Sequence, residues 1–128
     1  MRRFDQGAGM AYIVLVDDDP TVRMLAAALL KGAGHEVVER ESGDGFAELL
    51  AARRPDLLLL DIQMPGRDGF ALLDEARRAK GDRPLKVVAL SAGSAPDERD
   101  RIVAAGFDGF LPKPIDVRGF AAAVARYC

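Results

Sequence analysis

Four apolar runs of four or five residues each end in a polar side chain, and this pattern constrains the fold more than any other feature. The polar groups are carboxylates after the first two runs, a hydroxyl after the third and an ammonium after the fourth: Asp17–Asp19 after 12–16, Asp61 after 57–60, Ser91 after 87–90 and Lys113 after 109–112. Short apolar runs predict strands buried on both faces, as in parallel sheets. Ligands of open α/β sheets bind at the carboxyl ends of the strands. We therefore expect these polar groups to gather at one edge of one sheet.

Predicted helices alternate with the predicted strands along the whole chain. The strands are expected at 12–16, 36–39, 56–60, 86–90 and 109–111, and the helices at 20–31, 42–53, 70–79, 96–105 and 117–127. Five βα units in series favour an α/β fold with a parallel sheet and helices on both faces. A length of 128 residues suits one domain. We expect that domain to cover residues 11–128, after a flexible tail of residues 1–10.

Composition excludes several classes of function. The net charge is −2, so direct binding to nucleic acid is not expected. No apolar stretch has transmembrane length, and residues 1–9 are too short and polar for a signal peptide, so we predict no membrane partner and a cytoplasmic location. The one cysteine, Cys128, is the last residue, which excludes a disulfide framework. The one histidine, His35, excludes most histidine-based catalysis and is expected to be solvated in a turn.

Five signatures occur in an order that resembles the response-regulator receiver domain of bacterial two-component signalling. They are, in chain order, Asp17-Asp18, Asp61, Met64-Pro65 with Asp68-Gly69, Ser91-Ala92 and Lys113-Pro114. The resemblance covers residues 12–127. It implies a flavodoxin-like, doubly wound (βα)5 sandwich with strand order 2-1-3-4-5, and a cis peptide bond before Pro114. It also implies that Asp61 accepts a phosphoryl group from a histidine kinase or a histidine phosphotransfer protein.

The acidic side chains of this predicted pocket favour a bound divalent cation. Three carboxylates within a few ångströms cannot all stay ionised without a counter-ion. Mg²⁺ suits such a site, because it takes a few carboxylates together with water and phosphate oxygens. The predicted ligands are Asp17, Asp18, Asp61 and the backbone carbonyl of Gln63. Asp61 is then the nucleophile that forms an acyl phosphate.

The remaining site residues are expected to hold the phosphoryl group and to report it. Lys113 offers a point charge to one phosphoryl oxygen, Ser91 offers its hydroxyl to a second, and the backbone N–H of Ala92 assists. Phe110 stands where many family members carry an aromatic residue that rotates on activation, so Ser91 and Phe110 form the predicted switch. A downstream protein is expected to bind the face made by the fourth helix, fifth strand and fifth helix.

Three other functions fit the sequence less well than this phosphoacceptor role. A Mg²⁺-dependent phosphohydrolase of the haloacid-dehalogenase type needs an acid two residues after its nucleophile, where this chain has Gln63. A degenerate receiver that serves only as an interaction module would lack an acid or the lysine. A flavodoxin-like cofactor binder would not place three carboxylates after its first strand, since they repel phosphate. Whether self-catalysed phosphoryl gain and loss make the domain an enzyme stays open, as does whether it is cut from a hybrid histidine kinase.

Overall fold

The computed structural model describes residues 11–81, 84–93 and 96–128, so the predicted tail of residues 1–10 lies outside the described residues. Strands and helices alternate throughout this part of the chain. The strands are β1 (Tyr12–Val16), β2 (Glu36–Arg40), β3 (Leu57–Asp61), β4 (Lys86–Ser91) and β5 (Gly109–Pro112). The helices are α1 (Pro20–Gly32), α2 (Phe46–Ala52), α3 (Gly69–Lys80), α4 (Glu98–Ala105) and α5 (Phe120–Ala125).

The five strands form one parallel sheet in the order β2-β1-β3-β4-β5. This order confirms the predicted flavodoxin-like, doubly wound (βα)5 fold with strand order 2-1-3-4-5. The register places the last residues of the strands close to level, since Asp61 pairs with Leu90 and Ser91 pairs with Pro112. The polar residues that end the strands therefore meet at one edge.

Two hydrophobic cores lie on opposite faces of the sheet. On one face, Val14 and Leu58 pack with residues of α2, α3 and α4. On the other, Ile13 and Leu59 pack with residues of α1 and α5. Successive side chains of a strand point to opposite faces, so both faces of β1 and β3 are apolar and buried. The continuous apolar runs of the sequence are explained by this double coverage.

The helix boundaries agree with the sequence at α1 and differ at α2. The Asp19 carboxylate caps α1 by accepting the Thr21 N–H at 2.9 Å, and Pro20 opens the helix. Helix α2 begins at Phe46 rather than at residue 42. The Ser42 hydroxyl accepts the Asp44 N–H at 3.2 Å, which forms a turn instead of the first helical turn. Helices α4 and α5 also begin two and three residues later than predicted.

His35 is buried, with 7% of its surface exposed, so the expectation of a solvated side chain is wrong. Its Nδ1 accepts the backbone N–H of Ala11 at 3.1 Å. Burial lowers the pKa of the imidazole and favours the neutral form that can accept this bond. The histidine thus ties the start of β1 to the start of β2. Within the described residues, no helix has the length and apolar character needed to cross a bilayer.

Candidate functional site

The carboxyl edge of the sheet brings together the four groups that end the apolar runs. Asp17 follows β1, Asp61 is the last residue of β3, Ser91 is the last residue of β4 and Lys113 follows β5. The Lys113 N–H donates to the Ser91 carbonyl at 2.8 Å, which fixes the lysine backbone against β4. The peptide bond between Lys113 and Pro114 is cis. All four groups are at the edge where parallel sheets bind ligands.

The Lys113 ammonium bridges two buried carboxylates. Its Nζ lies 3.0 Å from Asp17 Oδ2 and 3.2 Å from Asp61 Oδ1. Asp17 is fully buried, and 3% of Asp61 is exposed. Burial alone would lower the pKa of Lys113, but the carboxylates of Asp17 and Asp61 outweigh that effect and raise it. Lys113 is therefore a fixed positive charge at the centre of the site.

The environment of the Asp61 carboxyl disfavours its ionised form and raises its pKa. Burial raises its pKa to about 7, against the lowering effect of the Gln63 backbone N–H at 3.1 Å. The neighbouring Asp17 charge raises the pKa further, and Lys113 lowers it. Within the described part of the chain, the polar contacts of Asp61 fall on Oδ1. Oδ2 is left open for a reacting group.

The acidic cluster fits a hard divalent cation. Asp17, Asp18 and Asp61 each offer a carboxylate oxygen, and these oxygens lie within 4.8 Å of one another. Three carboxylates and one ammonium leave two negative charges when all are ionised. Asp17 Oδ2 is buried and has the Lys113 ammonium close by, without a well-aligned hydrogen bond. An all-oxygen set with an exposed member, Asp18, is suited to Mg²⁺, which keeps several waters.

The loops beside the cluster are fixed by contacts that position its carboxylates. The Asp19 N–H donates to Asp17 Oδ1 at 2.9 Å, and the Arg23 guanidinium donates to the Asp17 carbonyl at 2.8 Å. A Cβ at Gly69 would lie 2.7 Å from the Asp61 carbonyl oxygen, so α3 can start this close to β3 only with glycine. Sequence reasoning missed Arg23, since an arginine in the first turns of a helix carries no local signal of a contact with a strand end.

Ser91 and Phe110 lie beside one cavity. The cavity has a volume of about 280 Å³, and its lining includes both of these residues together with Arg99 and Ile102. Phe110 is half-buried on β5, where it pairs with Ala89, and the Arg99 guanidinium lies 5.0 Å from its ring centroid. The predicted switch residues are therefore neighbours around open space. Their roles in switching stay a prediction, as does that of the exposed Ala92.

Glu98 is a second site residue that sequence reasoning missed. It is the first residue of α4 and only 2% of it is exposed. Its carboxylate accepts hydrogen bonds from the Ser91 hydroxyl, the Gly93 N–H and the Gln63 side-chain amide. An acid in the first turn of a helix is ordinarily explained by the helix dipole, at an exposed position. No local pattern in the sequence distinguishes this acid from an exposed one, so its place inside the site was not predicted.

Comparison with known proteins identifies the relatives of this chain. The sequence profile described as "Response regulator receiver domain" matches residues 13–125. The DNA-binding transcriptional regulator NtrC of Klebsiella pneumoniae is 37% identical over 118 residues, which are 92% of this chain and 24% of that protein. The sensor protein GacS of Pseudomonas syringae pv. syringae is 34% identical over 118 residues, which are 90% of this chain and 13% of GacS. The chain thus spans a small part of both relatives.

One solved structure of similar fold contains a metal ion. The receiver domain of sensor histidine kinase PA1611 from Pseudomonas aeruginosa PAO1 has a TM-score of 0.80 and 25% identity, over 92% of this chain and 97% of that one. That structure is described as having a magnesium ion coordinated in its active-site cleft.

Proposed function

Because this chain belongs to the response regulator receiver domain family of two-component signalling, we propose that it accepts a phosphoryl group on Asp61 from a histidine kinase or a histidine phosphotransfer protein. Receiver domains act with histidine kinases and with downstream effectors. One observation supports the assignment most. Asp61 is buried at the end of the central strand, between an ammonium and further carboxylates, with Oδ2 open.

The proposed step moves one phosphoryl group from the donor to Asp61. A carboxylate oxygen of Asp61 attacks phosphorus, and the bond from phosphorus to the imidazole nitrogen of the donor breaks. The nitrogen keeps the electron pair of that bond, and the new P–O bond makes an acyl phosphate. Lys113 places its ammonium beside the phosphoryl oxygens as the group transfers. Its charge also keeps Asp61 partly ionised, against the effect of burial.

Mg²⁺ is the metal proposed for this reaction. Asp17, Asp18 and Asp61 would hold it, and the Gln63 backbone carbonyl is the fourth proposed ligand. When bound, such an ion offsets negative charge on the phosphoryl oxygens in a loose transition state. In its absence, Lys113 is the only cation that the described structure places between Asp17 and Asp61.

Ser91 and Ala92 are proposed to bind the phosphoryl group once it is on Asp61. The Ser91 hydroxyl would donate to one oxygen, and the Ala92 backbone N–H would donate to another. Phe110 would then move into the cavity beside Ser91, which has about 280 Å³ of space. We propose a cytoplasmic protein that binds neither nucleic acid nor membrane directly, in keeping with its net charge of −2.

The proposal is tested by phosphorylation with a small donor. The wild-type protein is incubated with acetyl phosphate, once with Mg²⁺ and once with EDTA, and its intact mass is measured. We expect the mass of one phosphoryl group to be added with Mg²⁺ and little or none with EDTA. Continuous release of inorganic phosphate without an observable phosphoprotein would instead favour the phosphohydrolase.

Loss of either aspartate after β1 should weaken Mg²⁺ binding. Asp17→Ala and Asp18→Ala each remove a carboxylate from a cluster whose oxygens lie within 4.8 Å. We expect the Mg²⁺ affinity to fall about tenfold or more in each case, since the charge of the site is the main attraction for the ion. The exposed Glu41 is the control, and Glu41→Ala should leave the affinity unchanged. Equal Mg²⁺ affinities in all three variants by titration would refute the site.

The partner surface is proposed to be the face of α4, β5 and α5. Val103 of α4 is 67% exposed and Val117, in the segment before α5, is 58% exposed, and these side chains would add apolar contact area. Ser91 precedes the loop into α4, and Lys113 precedes the segment into α5. Movement of these two residues toward a phosphoryl group would therefore shift this face. Amide NMR with Mg²⁺ and beryllofluoride should show the largest changes outside the pocket in residues 91–111. Changes concentrated in α1 and α2 would place the switch elsewhere.

A further inference from the structure

The hydroxyl of Ser91 is already committed to a partner in the absence of phosphate. A serine hydroxyl carries one proton and can donate only one hydrogen bond. Ser91 donates it to Glu98 Oε1, and both residues are buried. As long as that contact holds, the same proton cannot be given to a phosphoryl oxygen on Asp61.

Glu98 accepts hydrogen bonds from three donors, and one of them belongs to a residue that contacts the proposed phosphoacceptor. Besides Ser91, it accepts the Gly93 N–H at 2.9 Å through Oε1 and the Gln63 side-chain amide at 3.1 Å through Oε2. The Gln63 backbone N–H donates in turn to Asp61 at 3.1 Å. A buried carboxylate with three hydrogen bonds to neutral donors is strongly held, because charge-assisted hydrogen bonds are about twice as strong as neutral ones. Glu98 therefore connects the first turn of α4 to both Asp61 and Ser91.

We propose that Glu98 is a latch that holds the unphosphorylated state, by keeping the Ser91 hydroxyl on α4 and away from Asp61. The proposal rests on the proposed phosphoacceptor function. Phosphorylation adds roughly −1.5 to −2 charges at Asp61. The buried Glu98 carboxylate is connected to Asp61 through Gln63, and it repels this added negative charge. When Ser91 turns to the phosphoryl group, Glu98 loses one of its three donors. The first turn of α4 is then released, which carries the signal into the partner face.

Glu98 acts as a positioning residue, and the latch is tested by the affinity of Glu98 variants for a phosphoryl mimic. Glu98→Gln keeps the size of the side chain and removes the charge. Beryllofluoride with Mg²⁺ should bind about tenfold more tightly to this variant than to wild type, since a charge-assisted bond no longer competes for Ser91. The matched control is Asp100→Asn, an exposed acid in the same helical turn, which should bind beryllofluoride as wild type does.

Two further measurements separate a latch from a merely structural role. In Ser91→Ala, adding Glu98→Gln should increase beryllofluoride affinity by less than about threefold, because the competing hydroxyl is gone. Without any ligand, the amide signals of Ser91, Gly93 and the first turn of α4 in Glu98→Gln should move toward the positions they take in wild-type protein with beryllofluoride. Glu98→Ala should show the same two effects. It also removes any hydrogen bond that the amide oxygen of Glu98→Gln could still accept from Ser91.

The outcomes distinguish the latch from the function on which it rests. If wild-type protein binds no beryllofluoride, the phosphoacceptor function is wrong and the latch falls with it. If wild type binds it and Glu98→Gln binds no better than Asp100→Asn, the function stands and the latch is wrong. A gain in Glu98→Gln that persists in full without the Ser91 hydroxyl would also overturn the latch.

Discussion

Asp61→Asn should take up no phosphoryl group from acetyl phosphate with Mg²⁺, under conditions in which wild type gains one. The amide replaces the carboxylate oxygen that would form the acyl phosphate, while the size of the side chain stays the same. Intact mass measures the difference. Asp68→Asn is the control, because Asp68 caps α3 by accepting the Ala71 N–H at 3.0 Å and lies on the loop after Asp61. An undiminished mass gain in Asp61→Asn would move the phosphoacceptor to another residue.

The same substitution should stabilise the metal-free fold at neutral and higher pH. The folded pKa of Asp61 is raised from 3.8 to about 7, chiefly by burial. Between these two values the folded state holds a proton that the unfolded state has lost, so the stability of wild type falls as pH rises. Asp61→Asn removes that dependence. Urea unfolding in EDTA should therefore show little difference at pH 4 and a growing advantage for the variant up to pH 8.

Lys113→Ala should cause the largest loss of stability among single substitutions of the site. Lys113 lies 3.0 Å from Asp17 and 3.2 Å from Asp61, whose side chains are 0% and 4% exposed. Removing one partner of a buried ion pair leaves an uncompensated charge and costs about 3 kcal/mol or more. Urea unfolding at pH 8 in EDTA measures this cost, and Mg²⁺ should restore part of it by supplying positive charge to the same carboxylates.

A surface lysine provides the comparison for Lys113→Ala. Lys31 lies 3.5 Å from Glu39, and their side chains are 54% and 30% exposed. Exposed pairs of this kind contribute about 0–1 kcal/mol, so Lys31→Ala should have a small effect that does not respond to Mg²⁺. Similar losses in the two variants would show that the Lys113 pairs are screened by solvent and contribute little.

Much of the fold could be predicted because its signals are local in the sequence. The apolar runs of β1 and β3 are continuous, since helices cover both faces of those strands. Asp19 and Pro20 mark the start of α1 by a capping contact that spans two residues. The start of α2 was misplaced because a serine hydroxyl can bond to the backbone in a turn as readily as at a helix end, and Ser42 does so.

The sequence by itself determined which residues end the strands, and hence that Asp17, Asp61, Ser91 and Lys113 share one edge. Tertiary structure alone decided how these groups interact. The raised pKa of Asp61 depends on burial and on neighbours from other strands. Glu98 reaches Gln63 across 35 residues of chain, and His35 reaches Ala11 across 24. A pattern along the chain shows the type of each side chain, but burial and pairing arise only when distant segments pack. The protonation of Asp61 and the contacts of Glu98 are therefore determined by the tertiary structure.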